Sequence, residues 1–408
     1  MKINKRQICF LIINLLLISI ILLNNDLLRI NLIFRKTSPI VFISWVYIIF
    51  SFLLLRKWYR LKPLSNIIIL SFFTFSFVAL FSSLILNISG ELINSSSAFS
   101  RSWNRILYRS VIIIFLIQQI KSYINKEKCL DLWVRLTTIV IIVGFFQILA
   151  VMDVSPFSNW FLWENIRGGG TRIASTFRWQ GPFVLFLGLT LPILVSMLLT
   201  AKQKSTVFFY GSVLVGGILA ILYSGSRTSL AMLPLTFAPF MTIFFKNWKK
   251  AVIAFIILAT IIIFIVPWDA PAITRAINID SLMIGDARYS ISQQGISLWS
   301  ENPILGIGTQ QLYEYIGFHP HNSYLEVLIE SGLLAFIPFI VYIISIIYLS
   351  IILSMFNRYS SDWIIRVGFS MGLINFLLYN FSASAINYYV IIPYLAICIS
   401  YYENMDGI

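Results

Sequence analysis

The sequence predicts an all-α polytopic membrane protein. Of its 408 residues, 59% are hydrophobic and only 11% are charged, and the mean hydropathy is +0.86. The apolar runs are too long and too frequent for the core of a water-soluble protein, because a helix needs about 20 apolar residues to cross a bilayer. The lipid bilayer is therefore the first expected partner of the chain.

Apolar runs of about 17 to 23 residues predict about 12 transmembrane helices. The first run follows Lys2, Lys5 and Arg6 and lacks a small-residue cleavage site, so we interpret it as a retained span and not as a signal peptide. The expected spans cover residues 8–23, 39–55, 66–88, 104–120, 136–152, 182–200, 206–223, 229–245, 251–267, 333–355, 366–381 and 388–402.

The basic residues predict the orientation of these spans. If the N-terminus is cytoplasmic, 18 of the 30 Lys and Arg residues fall in cytoplasmic segments, as the positive-inside rule requires, and the C-terminus is cytoplasmic as well. Eleven of the 12 basic residues on the outer side are arginines, whose planar guanidinium binds phosphate or carboxylate in a bidentate manner. We therefore expect an anionic ligand on the outer face and no nucleic acid, although a single arginine can also reach lipid headgroups.

Two outer connections are long enough to carry a site, at about residues 153–181 and 268–332, and no repeat or attached soluble domain is evident. The cysteines Cys9, Cys129 and Cys398 lie far apart, within or beside apolar runs, so packing roles are expected for them and neither a disulfide framework nor a metal cluster is indicated.

Arg101, Arg105 and Arg109 recur every four residues as the fourth span begins. This spacing advances a helix by little more than one turn, so the three guanidinium groups should form one slowly turning stripe. An arginine at the depth of Arg109 is costly against lipid and indicates an internal groove or an anionic ligand, with headgroup contacts as the alternative.

Residues 167–182, RGGGTRIASTFRWQGP, combine three glycines with Arg167, Arg172 and Arg178. Glycine permits close approach of the backbone to a ligand, so this segment is interpreted as a flexible lid over an anionic substrate, or else as an ordinary surface loop. Its spacing fits neither a Walker loop nor a dinucleotide fingerprint. Arg227, in YSGSRTSL, lies in a connection of only a few polar residues, which should hold it near the outer face for ligand binding or as an anchor.

Both histidines of the chain, His319 and His321, lie two positions apart. A metal site would need further ligands, so a general base or an oriented donor is the favoured role, with His321 as the ring held in a fixed position. Asn322 is a plausible partner for a sugar hydroxyl. Ser323 and Glu326 fit a capping box that opens a helix, which makes Glu326 a structural cap, with a catalytic carboxylate as the alternative.

Three stretches in this order resemble the membrane domain of the O-antigen ligase and O-antigen polymerase family: YSGSRTSL, DARYSISQQGISLWSENPILGIG and HPHNSYLEVLIESGLLAFIPF. The resemblance runs over about residues 167–345. It implies a GT-C-like membrane fold and a glycosyltransferase at the outer side of the cytoplasmic (inner) membrane, using an undecaprenyl-diphosphate-linked oligosaccharide as donor and neither cofactor nor metal. We accordingly divide the chain into N-terminal helices (1–165), a ligase/polymerase-like domain (166–360) whose outer loop 268–332 contains short helices, and C-terminal helices (361–408).

The resemblance also implies roles for single residues. Arg227 stands where the family has the Arg of its Ser-Arg motif, Arg288 matches the Arg before the Trp and the Pro-x-x-Gly-x-Gly segment, and His321 matches the His of the His-Asn pair. Arg172 is similar to a family Arg before a span, although the family pattern continues with Pro-Asn where this chain has RWQGP. The resemblance thus predicts His321, Arg288 and Arg227 as catalytic residues. The remaining substrate-binding candidates are Arg172, Arg178, Arg105, Arg109, His319 and Asn322.

The resemblance leaves the acceptor open. A polymerase adds the glycan to a second lipid-linked repeat, whereas a ligase adds it to lipid A core or to protein. We favour the polymerase, which needs no outer membrane and would act beside a flippase and a chain-length regulator. A transporter of lipid-linked oligosaccharide is the alternative from a different class, although the two halves show no matching pair of broken helices.

Overall fold

Helices account for nearly all of the regular structure in this computed structural model. The structure describes residues 5–21, 30–32, 35–37, 39–54, 58–95, 98–99, 109–123, 126–154, 172–177, 179–244, 273, 284–356, 358, 360 and 362–405. Two short strands, β1 (Ile30–Leu32) and β2 (Arg35–Thr37), pair antiparallel with Ile30 opposite Thr37. The predicted all-helical membrane class is confirmed in this coarse form, with the β-hairpin as an addition.

The helices follow the apolar runs that the sequence predicts. The predicted span at residues 251–267 lies outside the described residues, while the outer loop contains one helix of 18 residues and one of six. In chain order the helices are α1 (Lys5–Ile21), α2 (Pro39–Leu54), α3 (Pro63–Ile88), α4 (Ile112–Tyr123), α5 (Lys126–Val151), α6 (Gln180–Thr200), α7 (Lys204–Ser224), α8 (Arg227–Phe244), α9 (Ile284–Glu301), α10 (Gln311–Ile316), α11 (Ser323–Met355), α12 (Trp363–Tyr379) and α13 (Ile391–Glu403).

Five helices among the described residues are long and apolar enough to cross a membrane: α3, α5, α6, α7 and α11. Each of them can lie across a bilayer, because a helix satisfies its own backbone hydrogen bonds within lipid. The expectation of a multi-pass membrane protein is therefore confirmed.

The chain divides into two units. Unit 1 comprises residues Met1–Trp133, Met283–Leu353 and Leu377–Ile408. Within it, α1, α2, α4 and α13 pack together, and the aromatic rings of α3 and α11 meet, with 5.0 Å between the centroids of Phe72 and Tyr342. All three cysteines are buried here, which confirms their predicted packing role.

The carboxylate of Glu403 joins three segments of unit 1 by hydrogen bonds and a salt bridge. It accepts hydrogen bonds from the Lys62 backbone N–H (2.8 Å) and the Ser65 hydroxyl (2.6 Å), and it forms a 2.8 Å salt bridge with Lys121. The end of α4, the start of α3 and the end of α13 consequently lie on the same side of this unit.

Unit 2 comprises residues Val134–Leu282 and Ser354–Phe376. Its helices α6, α7 and α8 pack against one another, and α12 contacts α6 closely, because a Cβ added at Gly368 would lie 2.9 Å from the Pro192 carbonyl oxygen. The Asn375 side chain donates to the Gly188 carbonyl at 2.8 Å, which further fixes α12 on α6.

Candidate functional site

In unit 2, the structure brings Arg172 and Arg227 together at the junction of α7 and α8. Gly225 ends α7 with a φ of +71°, and a Cβ at this position would lie 2.9 Å from both Cγ and Cδ of Arg172. The glycine therefore leaves the space that the Arg172 side chain occupies. Arg227 follows two residues later as the first residue of α8, and both arginines are half-buried.

The pairing of these two arginines has an electrostatic consequence. Burial lowers the pKa of the Arg172 guanidinium, and the positive charge of Arg227 lowers the same pKa further. Two like charges that influence each other in a partly desolvated place favour an anion beside them. The first turn of α8 adds the partial positive charge of a helix N-terminus, so the junction suits a ligand with more than one negative charge.

The segment that carries Arg172 is held by α5 and α7. Gln147 of α5 accepts hydrogen bonds from the backbone N–H groups of Ala174 (3.1 Å) and Ser175 (2.7 Å) and donates to the Ser175 carbonyl (2.9 Å). The Ile173 N–H donates to the Tyr223 carbonyl at 3.2 Å. Residues 172–177 thus form a fixed backbone, whereas the sequence predicted a flexible lid over the longer segment 167–182, whose first residues lie outside those described.

The turn before Arg227 is held by two serines. The Ser226 hydroxyl lies 3.0 Å from the Ser229 hydroxyl and accepts the Ser229 N–H at 3.4 Å, which places Ser226 as the N-cap of α8. The polar residues of YSGSRTSL consequently serve to end one helix and begin the next, and they fix the point from which the Arg227 side chain projects.

In unit 1, His321 and Asn322 form the entry to α11. His321 is exposed and has a φ of +51°, a conformation that His, Asn and Asp tolerate better than most residues. The Asn322 Oδ1 accepts the N–H groups of Tyr324 (3.0 Å) and Leu325 (3.1 Å). Asn322 is therefore the N-cap of α11, and its side-chain oxygen is engaged in that role.

The predicted capping box of Ser323 and Glu326 is wrong. Ser323 is the first helical residue, and its hydroxyl donates to the Ala383 carbonyl at 3.0 Å. Glu326 is fully buried and accepts a hydrogen bond from the Asn387 side-chain amide at 3.0 Å. The prediction placed the helix start one residue late. Asn and Ser are both favoured N-cap residues, and the Ser323 hydroxyl is unavailable as a cap because it donates to the distant Ala383 carbonyl.

Arg109 lies buried in the same unit, with 5% of its surface exposed. Its two terminal nitrogens donate to the backbone carbonyls of Ile386 and Asn387, both at 2.6 Å, and its guanidinium lies 5.0 Å from the ring centroid of Tyr389. These contacts give Arg109 a structural function at the 3-10 turn Ala385–Asn387. Its predicted binding of substrate stays a prediction.

His319 stacks on Tyr313 of α10, with 5.2 Å between the ring centroids. α10 is held in place by Gln311, whose side chain exchanges two hydrogen bonds with the backbone of Asn94, at 2.9 and 3.0 Å. In the part of the chain that the structure describes, no three His, Cys, Asp or Glu side chains cluster as metal ligands would.

Gly306 lies where two stretches of backbone pack tightly, because an added Cβ would lie 2.6 Å from the Ile329 carbonyl oxygen and from the Gly332 nitrogen. α11 breaks at Gly332, with a φ of +67° and a ψ of −179°, and residues 303–308 fill the break. The N–H groups of Ile307 and Gly308 donate to carbonyls of α11 before the break, and the Pro303 and Ile304 carbonyls accept N–H groups after it; the four donor–acceptor distances are 2.9 to 3.2 Å. The backbone groups released by the break are thereby satisfied within the protein.

The predicted site residues divide between the two units, each of which is described by itself. Arg172 and Arg227 belong to unit 2, whereas Arg109, Arg288, His319, His321 and Asn322 belong to unit 1. Arg288 lies in α9, but its side chain lies outside the described part, and Arg105 and Arg178 lie outside the described residues altogether. Sequence reasoning missed Gln147 and Asn387, because no local pattern marks the side chains that hold a distant loop.

Comparison with known proteins bears directly on this region. Residues 212–340 match a family model described as O-antigen ligase. The predicted resemblance is thereby confirmed, over a shorter stretch than the expected residues 167–345, whereas no curated protein matches the chain. The matched stretch contains Arg227, Arg288, His319, His321 and Asn322 and leaves out Arg105, Arg109, Arg172 and Arg178.

Proposed function

We propose that this multi-pass membrane protein, whose residues 212–340 match a family model described as O-antigen ligase, polymerises the repeat units of a surface polysaccharide. The donor is a glycan on undecaprenyl diphosphate, and the acceptor is a sugar hydroxyl of a second lipid-linked repeat. The protein is a glycosyltransferase that needs no metal, and a flippase and a chain-length regulator are its proposed partners. The single observation that carries the proposal is the adjacency of Arg172 and Arg227.

The arginine pair suits the diphosphate of such a donor. As the bond between the anomeric carbon and the diphosphate oxygen breaks, negative charge grows on the departing undecaprenyl diphosphate. Guanidinium groups that are already in place stabilise this charge without reorganisation. Arg227 and Arg172 are proposed to bind the diphosphate, and Arg288 is proposed to assist on the strength of its match to the family motif.

His321 is proposed as the general base. Its neutral imidazole accepts the proton of the acceptor hydroxyl while the hydroxyl oxygen attacks the anomeric carbon. Two observations support the assignment: the ring is exposed, and the Asn322 cap and the Ser323 hydrogen bonds hold the adjacent start of α11.

Replacement of Arg227 by alanine is expected to lower glycan transfer by about 10²–10³-fold, the usual cost of removing one preorganised charge-stabilising donor. Arg227→Lys is expected to recover only part of the rate, because an ammonium group cannot replace the bidentate contacts of a guanidinium. Transfer is measured with purified full-length protein and lipid-linked donor, by gel analysis of the product.

Arg358→Ala is the matched control, since Arg358 is an exposed arginine of unit 2, and it should transfer at the wild-type rate. Equal folding of all three purified variants is checked by size-exclusion chromatography. Near-normal product from Arg227→Ala would remove Arg227 from the proposed site.

The ligase is a second candidate, because the matched family model is described by that activity. A deletion strain separates the two functions. Loss of a polymerase leaves single repeats on the final acceptor, whereas loss of a ligase accumulates long chains on undecaprenyl diphosphate. The proposed polymerase predicts the first outcome, and accumulation of long carrier-linked chains would replace it with the ligase.

Reconstitution tests the transporter alternative. Purified protein in liposomes, supplied with lipid-linked oligosaccharide and no translocation machinery, should elongate the glycan. Translocation of unelongated oligosaccharide would contradict the proposed enzyme.

We also propose that the chain crosses the cytoplasmic membrane 12 times in a GT-C-like fold, with both termini cytoplasmic and the site on the outer face. The contacts of Lys62, Lys121 and Glu403 support part of this topology, because they join three segments for which the sequence predicts the cytoplasmic side. Labelling of single introduced cysteines from either side of the membrane tests the orientation.

A further inference from the structure

The 3-10 turn Ala385–Asn387 lies between the last two helices and belongs to no motif that the sequence indicated. We propose that Glu326 is a positioning residue for His321 and that it acts through this turn. The inference rests on the proposed role of His321 as the general base.

Glu326 carries a buried carboxylate. Glu326 has no exposed surface, and a buried carboxylate is destabilising unless hydrogen bonds and charges compensate it. Its Oε1 accepts the Asn387 amide at 3.0 Å. The carbonyl of the same Asn387 accepts a hydrogen bond from Arg109 at 2.6 Å, so one residue bridges a buried cation and a buried carboxylate.

Hydrogen bonds of Ser323 connect the turn to the start of α11. The Ser323 hydroxyl donates to the Ala383 carbonyl at 3.0 Å and accepts the Ile386 N–H at 3.3 Å, and the Ser323 N–H donates to the Asn380 carbonyl at 2.8 Å. Residues 380–387 therefore hold the helix start at Ser323 and, through Glu326, one turn further along the helix. Residues 380–387 contact α11 at two points, Ser323 and Glu326. Two contacts define the orientation of the helix start, whereas a single contact would leave it free to rotate.

The His321 imidazole lies directly before this helix start. His321 precedes Asn322 and Ser323 and has a φ of +51°, so the direction of its ring depends on where the helix start is held. Two other roles for Glu326 do not fit: Asn322 already caps the helix, and a fully buried carboxylate is unsuited to receive a proton from a bulky sugar acceptor. Positioning requires an acceptor oxygen at residue 326 and no negative charge.

The test compares Glu326→Ala, Glu326→Gln and Asn387→Ala in full-length protein in lipid nanodiscs. We expect Glu326→Ala and Asn387→Ala to lower kcat by about 10- to 100-fold, the usual range for loss of a supporting contact, with the donor KM within about twofold of wild type. Glu326→Gln retains an acceptor oxygen and should stay within about threefold of the wild-type kcat. Glu301→Ala, at an exposed glutamate of the same unit, is the matched control.

A second measurement is independent of activity. The chain has only two histidines, so selective ¹⁵N-histidine labelling yields two ring spectra, and His321→Asn identifies which one belongs to His321. The His321 signals should shift or broaden in Glu326→Ala and should match wild type in Glu326→Gln. Glu326→Asp, which shortens the reach of the carboxylate, replaces the alanine variant if that variant does not accumulate, with the same expected loss.

The inference is overturned if Glu326→Ala keeps the wild-type kcat and His321 spectrum, or if Glu326→Gln is as inactive as Glu326→Ala, since the latter result would show that the charge matters. Failure of the proposed function gives a different result. In that case His321→Asn itself is active, while the His321 spectrum of Glu326→Ala still reports whether Glu326 positions the ring.

Discussion

His321→Ala is expected to lower glycan transfer by about 10²–10⁴-fold, the usual contribution of a general base. The physical reason is that the acceptor hydroxyl must lose its proton as it attacks, and the exposed imidazole is the proposed proton acceptor. The rate is measured with purified protein in nanodiscs and lipid-linked donor.

Alanine alone would leave this experiment ambiguous, because residue 321 has a φ of +51° and alanine is strained there. His321→Asn resolves the ambiguity, since asparagine tolerates this backbone conformation and cannot act as a base. Both variants should be inactive at equal abundance. An active His321→Asn would show that residue 321 contributes backbone conformation and that the proton goes elsewhere.

Gly332→Ala is expected to destabilise the protein by about 2–6 kcal/mol, the sum of a backbone conformation that is essentially restricted to glycine and an overpacked contact. Gly332 has a φ of +67°, and an added Cβ would lie 2.2 Å from the Ile304 carbonyl oxygen and 2.5 Å from the Gly306 nitrogen. Both clashes are with backbone atoms of the loop that fills the break in α11, so no side-chain rotation relieves them. Thermal unfolding of detergent-solubilised protein measures the change.

Gly317→Ala is the control for positive-φ strain without a clash. Gly317 also has a positive φ, +76°, but an added Cβ would meet no atom within 4 Å. Gly317→Ala should lower the free energy of unfolding by only about 1–2 kcal/mol, the cost of the left-handed backbone alone. Equal destabilisation by the two substitutions would show that the contact of residues 303–308 with the break in α11 contributes nothing.

The helices could be predicted well from the sequence, and the site only in part. Apolar runs predicted the helices because a membrane segment shows its length and hydrophobicity in consecutive residues. The family resemblance gave His321 and Arg227 as candidate catalytic residues, and these roles stay predictions. The capping box failed at Ser323 because the competing partner, the Ala383 carbonyl, is distant in sequence.

The resemblance placed Arg172 and Arg227 in one site, but the packing of Arg172 against Gly225 could not be predicted, since α6 and α7 separate the two arginines in the chain. Gly225 makes the contact possible by lacking a side chain, yet a glycine at the end of a helix is common and does not indicate which residue will occupy the space above it.

By itself, the sequence determined that this protein is a multi-pass helical membrane protein and that residues 212–340 are similar to an O-antigen ligase family, because hydrophobic length and motif order are local properties of the chain. Only the tertiary structure decided which groups the buried polar side chains contact. Arg109 binds the carbonyls of Ile386 and Asn387, and Glu326 binds the Asn387 amide. Every residue carries a backbone carbonyl. No pattern of side chains in the sequence therefore indicates which carbonyls accept hydrogen bonds from a buried guanidinium.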